Sequence, residues 1–216
     1  MTVERLADAL KGRPQGCFVV FEGGDGSGKT THLQRLGAEL AAAGAPVLTT
    51  REPGGTPIGR QLRELILSED SDISARTEAL LYAADRAHHV HSTIRPAIVE
   101  GTTVISDRYI DSSVAYQAAG RGLDPTQVRD LSMWATGGLE PDVVIVMDLD
   151  PQVAVERRGG NRDRMEKAGE DFHQSVFQFY RDRAAAHPER YHLIDANQPP
   201  EDVYGDLVGT LVEALT

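Results

Sequence analysis

Eight consecutive residues, Gly23-Gly24-Asp25-Gly26-Ser27-Gly28-Lys29-Thr30, combine the groups needed to hold a polyphosphate. The glycines let the backbone turn until several N–H groups point at one anion. Lys29 adds a mobile cation for β- and γ-phosphates, and the Thr30 hydroxyl suits a Mg²⁺ ligand. The stretch fits G-x-x-x-x-G-K-[ST], a pattern that carries weight only between a strand and a helix. Here the apolar run Cys17-Phe18-Val19-Val20-Phe21 precedes it, and Leu33, Leu36 and Leu40 follow on one helical face. The helix N-terminus contributes further unpaired donors and its dipole. The competing reading is an ordinary glycine-rich turn before a helix.

Other chemistry-bearing residues fall in the same kind of place. Arg51-Glu52, Asp107-Arg108, Asp148 to Asp150 and Asp195-Ala196-Asn197 each follow a short apolar run of strand character. Helical patterns separate these runs: Thr31 to Ala43, Thr56 to Leu67, Ser74 to about His91, Asp111 to Ala118, Asp124 to Ala135, Pro151 to Arg158, Gly169 to Ala186 and Pro200 to Leu215. Pro96 is expected to break the helix before it from a last turn ending at Gly101. Strand-helix alternation predicts an α/β fold, a five-stranded parallel sheet with helices on both faces. Ligands of such folds sit at the carboxyl ends of the strands, where all five polar clusters would meet.

The chain has 216 residues, enough for one domain, or one domain with a mobile insert. Residues 1–16 read as a short, partly helical N-terminal extension, and residues 17–216 as one domain. A net charge of −11 and a pI near 5.0 argue against a general nucleic-acid binder. Cys17 is the one cysteine, placed in an apolar strand where a small core residue fits better than a nucleophile. No stretch suits a membrane span and no secretory leader pattern is visible, so a cytoplasmic setting is expected. An N-K-x-D guanine-reading motif is absent, which argues against a GTPase.

Thr50-Arg51-Glu52-Pro53-Gly54-Gly55-Thr56, Asp107-Arg108-Tyr109, Ala115-Tyr116-Gln117 with Gly120-Arg121-Gly122, and Asp163-Arg164-Met165-Glu166 occur in an order that resembles the thymidylate kinases, from about Phe18 onward. The resemblance implies a P-loop NTPase fold of the nucleoside monophosphate kinase type. It implies transfer of the γ-phosphoryl of ATP to dTMP with Mg²⁺, and a homodimer. A kinase for another nucleoside monophosphate or deoxynucleoside, and a nucleotide switch without turnover, are the alternatives.

Residue by residue, the resemblance assigns Gly23 to Thr30 to the ATP phosphates; Thr30 suits the metal, and Asp107, at the end of a buried strand, is placed for the metal's water shell. Asp107 has two further readings, organiser of Arg108 or member of a structural ion pair. Arg51 and Arg108 would grip the acceptor phosphate, as a planar guanidinium suits two oxygens. Asp25 would meet the acceptor sugar, and Tyr116 would lie under it. Tyr82 and Arg86, four apart on one helix face, would stack on thymine and bond its carbonyl, with Ser113 and Gln117 near the base edge. Tyr82 departs from the phenylalanine usual there, and core filler is its plain alternative. Gly26 stands where some relatives carry a catalytic arginine. That duty would pass to a lid at about 157–168, with Arg158 and Arg162 reaching the phosphates and Glu166 approaching the sugar. Asn197 is either part of the adenine enclosure or a turn residue. His88, His89 and His91 lack partners at ligand spacing and are expected at an exposed or dimer-facing helix end.

Overall fold

The computed structural model describes residues 2–68, 71–119, 121–157 and 170–216. Five strands, β1 (Phe18–Glu22), β2 (Val47–Arg51), β3 (Thr103–Asp107), β4 (Val143–Asp148) and β5 (Tyr191–Asp195), form one sheet in the order β2-β3-β1-β4-β5. Every pairing is parallel, and Val20 of the central strand lies between Ser106 of β3 and Val144 of β4. β1 is buried throughout, which is why it reads as an apolar run and not as an alternating pattern.

The two faces of β1 feed two cores. Val19 and Phe21 point to one, Phe18 and Val20 to the other, as the two-residue period of a strand requires. α2 (Lys29–Ala42) and α10 (Pro200–Leu215) cover the first face. α1 (Val3–Lys11) packs there too, with Leu6, Ala7 and Leu10 buried, and Arg13 donating to the Leu215 carbonyl at 2.8 Å. The N-terminal segment is thus a packed helix sharing the main core. Each buried leucine contributes about 2 kcal/mol of burial that a free extension would lack.

α3 (Pro57–Leu67) and α4 (Ala75–His89) pack on each other, α5 (Arg95–Val99), α6 (Ile110–Ser113) and α7 (Pro125–Thr136) cover the second face, α8 (Pro151–Arg157) follows β4, and α9 (Glu170–Ala186) adds Val176, Tyr180 and Ala184 to the second core. Thr56, Ser74 and Asp124 cap α3, α4 and α7 with side-chain oxygens on the first-turn N–H groups. Pro96 does not break the chain as expected. α4 passes through a π-turn, Val90–Ile94, into α5, so the proline sits in a first turn that needs no N–H from it. A second π-turn, Val114–Ala119, continues α6 and carries Tyr116 and Gln117.

Candidate active site

The loop after β1 curls as its glycines permit: Gly28, at φ 87°, immediately precedes α2. Lys29 Nζ donates to the Gly24 carbonyl at 2.7 Å and lies 3.3 Å from Ser27 Oγ. Burial, then the nearby Arg108 charge, pull its ammonium down to about 8 despite opposing carboxylates. The Thr30 hydroxyl donates to Asp107 Oδ2, uniting the ends of β1 and β3 at one point. The Asp107 carboxylate thus accepts from Thr30, and its charge also favours the ionised form of Arg108. Two hard oxygen groups side by side at a phosphate loop suit a Mg²⁺ ion and its waters.

Beside the loop opens a cavity of about 470 Å³. Asp25, Gly26, Gly28, Lys29, Thr30, Arg51, Tyr82, Arg86, Asp107, Arg108, Tyr116 and Gln117, which lie far apart in the sequence, share its wall with Glu52, Pro53, Arg63 and Ser112. Arg51 is exposed at the end of β2, with no role in the core. Arg108 has the unusual φ of 74° for a non-glycine residue, and it turns its guanidinium across the loop. Nη1 donates to the Gly23 carbonyl (3.2 Å) and Ser112 Oγ (3.1 Å), and Nη2 to Asp25 and the Tyr116 hydroxyl (3.2 Å). Tyr116 in turn donates to Asp25 Oδ2 at 2.9 Å. Burial opposes ionisation of Asp25, but Arg108, Lys29 and this hydrogen bond outweigh it and hold the carboxyl below its usual range.

Arg86 lies at the floor, 1% exposed. Nε donates to Glu52 (2.7 Å), Nη1 to Ser132 (3.0 Å), and Nη2 to the Tyr109 carbonyl and Ser113 (both 3.0 Å). Four of its N–H groups are thereby engaged, leaving one on Nη1 among the described residues. Ser113, expected at the base edge, is buried against Arg86 and is absent from the cavity wall. Gln117 donates to Glu78 at 3.0 Å, and its Oε1 is buried without a partner among the described residues. Tyr82 is half-buried on the same α4 face as Arg86.

His89 is not at an exposed helix end. It is fully buried, with Nδ1 donating to Glu52 at 2.9 Å and Nε2 2.7 Å from the Thr50 hydroxyl. His91 is exposed and His88 half-buried, so the three histidines form no cluster. Asn197 does not line the cavity. Its Oδ1 accepts from the Asp150 N–H (3.0 Å) and its Nδ2 donates to Asp195 (2.7 Å), which ties together the turns after β4 and β5. Arg158, Arg162 and Glu166 lie outside the described residues.

Several site residues escaped sequence reasoning. Pro53 was legible only as part of the Thr50 to Thr56 motif, and Glu52 was singled out with Arg51 at a strand end but given no role of its own. Arg63 reaches the wall because its Nη1 donates to the Pro53 carbonyl at 3.0 Å. Glu22 had a visible signal, a carboxylate closing an otherwise apolar buried strand.

A phosphate loop behind the central strand of a 2-3-1-4-5 parallel sheet, opening into a nucleotide-sized cavity lined by arginines, defines a P-loop protein of the nucleoside monophosphate kinase type. Comparison with known proteins narrows the class. The thymidylate kinase family profile matches residues 21–207. Thymidylate kinase of Bifidobacterium longum subsp. infantis is 53% identical over 193 residues, covering 88% of this chain and 83% of that one. The Cutibacterium acnes enzyme is 50% identical over 189 residues (87% and 92%), and that of Deinococcus radiodurans 45% over 201 (92% and 98%). The chain belongs to the thymidylate kinase family.

Proposed function

We propose that this protein transfers the γ-phosphoryl group of ATP to dTMP, giving dTDP and ADP. The observation that carries the reading is the single cavity in which the phosphate loop meets Arg51, Arg108, Tyr82 and Arg86. The reactants are both highly anionic, and phosphoryl transfer needs alignment and charge stabilisation more than covalent help. Gly23 to Thr30 cradle the donor phosphates, and Lys29 exchanges its contact with the Gly24 carbonyl for phosphate oxygens. Arg51 and Arg108 hold the acceptor phosphate in line. Asp25 and Tyr116, already bonded to each other and to Arg108, receive the sugar. Tyr82 stacks on the base, the remaining Arg86 N–H meets its carbonyl, and Gln117 lies at its edge. Thr30 and Asp107 would hold Mg²⁺, which when bound neutralises charge on the donor phosphates. Arg158 and Arg162 complete the charge from the lid, with Glu166 near the sugar, a reading that rests on sequence alone. Exposed Ile58, Leu65 and Leu80 on the packed pair α3 and α4 suit a second copy, hence a homodimer, in a cytoplasmic setting.

Coupled turnover of ATP with dTMP, dUMP, CMP and AMP tests the proposal. Turnover is expected to be fastest with dTMP, and no ADP formed with dTMP would refute it.

A further inference from the structure

Glu22 takes no part in the cavity wall, yet it has one of the best-supplied carboxylates in the molecule. It is fully buried at the last position of β1, one residue before the phosphate loop. A carboxylate so placed must be supplied with donors. Glu22 Oε1 accepts from the N–H groups of Tyr109 (2.9 Å) and Ser112 (3.2 Å), and Oε2 from the hydroxyls of Ser112 and Tyr180 (both 2.7 Å). Tyr109 and Ser112 flank the segment that begins with Arg108, whose own N–H donates to the Phe21 carbonyl at 2.9 Å. The last two residues of β1 therefore grip this segment from both ends.

The grip falls where the backbone needs it. Arg108 occupies the left-handed region, which a non-glycine residue keeps only when its surroundings over-determine it. The side chain is tied in as well. The Ser112 hydroxyl donates to Glu22 and accepts from Arg108 Nη1, a two-bond link from carboxylate to guanidinium. Burial, and then Asp111, push the Glu22 carboxyl upward, so its charge depends on these donors.

We propose that Glu22 is a positioning residue that sets the aim of Arg108 at the acceptor phosphate, acting through Ser112 and the Tyr109 N–H. The proposal rests on the reading of Arg108 given above. If Glu22 merely stabilised the fold, its loss would weaken every ligand alike. If it aims Arg108, the loss falls on the phosphate of dTMP and spares thymidine, which has none.

Calorimetric binding of dTMP, thymidine and the ATP analogue AMP-PNP to wild type, Glu22→Ala, Glu22→Gln, Ser112→Ala and Arg108→Ala decides the matter, with circular dichroism reporting folding. Glu22→Ala is expected to lose about tenfold or more in dTMP affinity, with thymidine and AMP-PNP within about threefold of wild type. Glu22→Gln retains an acceptor for both backbone N–H groups and should recover most of the loss. Equal weakening of dTMP and thymidine, or unchanged dTMP affinity in a folded Glu22→Ala, overturns the proposal. Should Glu22→Ala not fold, Ser112→Ala carries the test. It must lose affinity for dTMP and not for thymidine, and no such loss overturns the proposal. Arg108→Ala separates the premise: if it binds dTMP as wild type does, the phosphate role of Arg108 fails, whatever Glu22 does.

Discussion

Arg86→Ala should damage stability as much as binding. The arginine is 1% exposed and its partner Glu52 is 3% exposed, joined at 2.7 Å. Removing the guanidinium leaves the Glu52 carboxylate with His89 as its remaining side-chain partner among the described residues, and strips a donor from Ser132, Ser113 and the Tyr109 carbonyl. Breaking a buried pair from one side costs about 3–5 kcal/mol. For a chain of this size, that is a fall in Tm of about 6–20 °C. Guanidinium unfolding followed by circular dichroism measures it. Glu52→Gln combined with Arg86→Met leaves no buried charge unpaired and should regain much of the loss. Where the single variant is folded, its dTMP affinity should still fall, by about 1–3 kcal/mol for a lost hydrogen bond to a charged donor. A single variant within about 1 kcal/mol of wild type, or a double variant no more stable than the single, would refute the reasoning.

Three further outcomes are expected. Burial pulls the Lys29 ammonium down to about 8 in the free protein, and bound phosphates favour its charged form, so ATP binding takes up a proton above that pH. The dissociation constant for ATP should therefore rise about tenfold from pH 7 to pH 9, and Lys29→Arg should abolish the slope, as measured calorimetrically. Asp85 is pushed up to about 6 by burial, then by Glu52, although the Gly54 N–H donates to it at 3.2 Å. Its ionisation is thus penalised in the folded state, and stability is lost as pH rises from about 4 to 6. Asp85→Asn should be about 1–3 kcal/mol more stable than wild type at pH 7 and no different at pH 4, by urea unfolding. Finally, a Cβ at Gly24 would overlap the Phe177 ring of α9. Gly24→Ala should cost about 1–3 kcal/mol in the same assay, and should cost less when introduced into a Phe177→Ala background, where the ring that it meets is gone.

Much of this was legible beforehand because it is local. The phosphate loop announces itself through glycine spacing, a lysine and a hydroxyl within eight residues. Buried parallel strands read as apolar runs, and caps such as Ser74 and Asp124 sit next to what they cap. Pro96 shows the limit: its local preference for ending a helix was met by a π-turn upstream, so the helical path continues.

What the chain order by itself determined was the inventory, namely a phosphate cradle, a set of arginines at strand ends and the aromatic-arginine pair Tyr82 and Arg86. Only the tertiary structure decided which of these meet and in what state. It turned Asp107 to Thr30, Arg108 to Asp25 and Tyr116, buried His89 on Glu52, and held Ser113 and Asn197 to supporting bonds. The reason is physical. A buried charge must find its partners across whatever elements the sheet order brings together, and pairs such as Glu22 with Tyr180 or Arg86 with Ser132 have no periodicity along the chain.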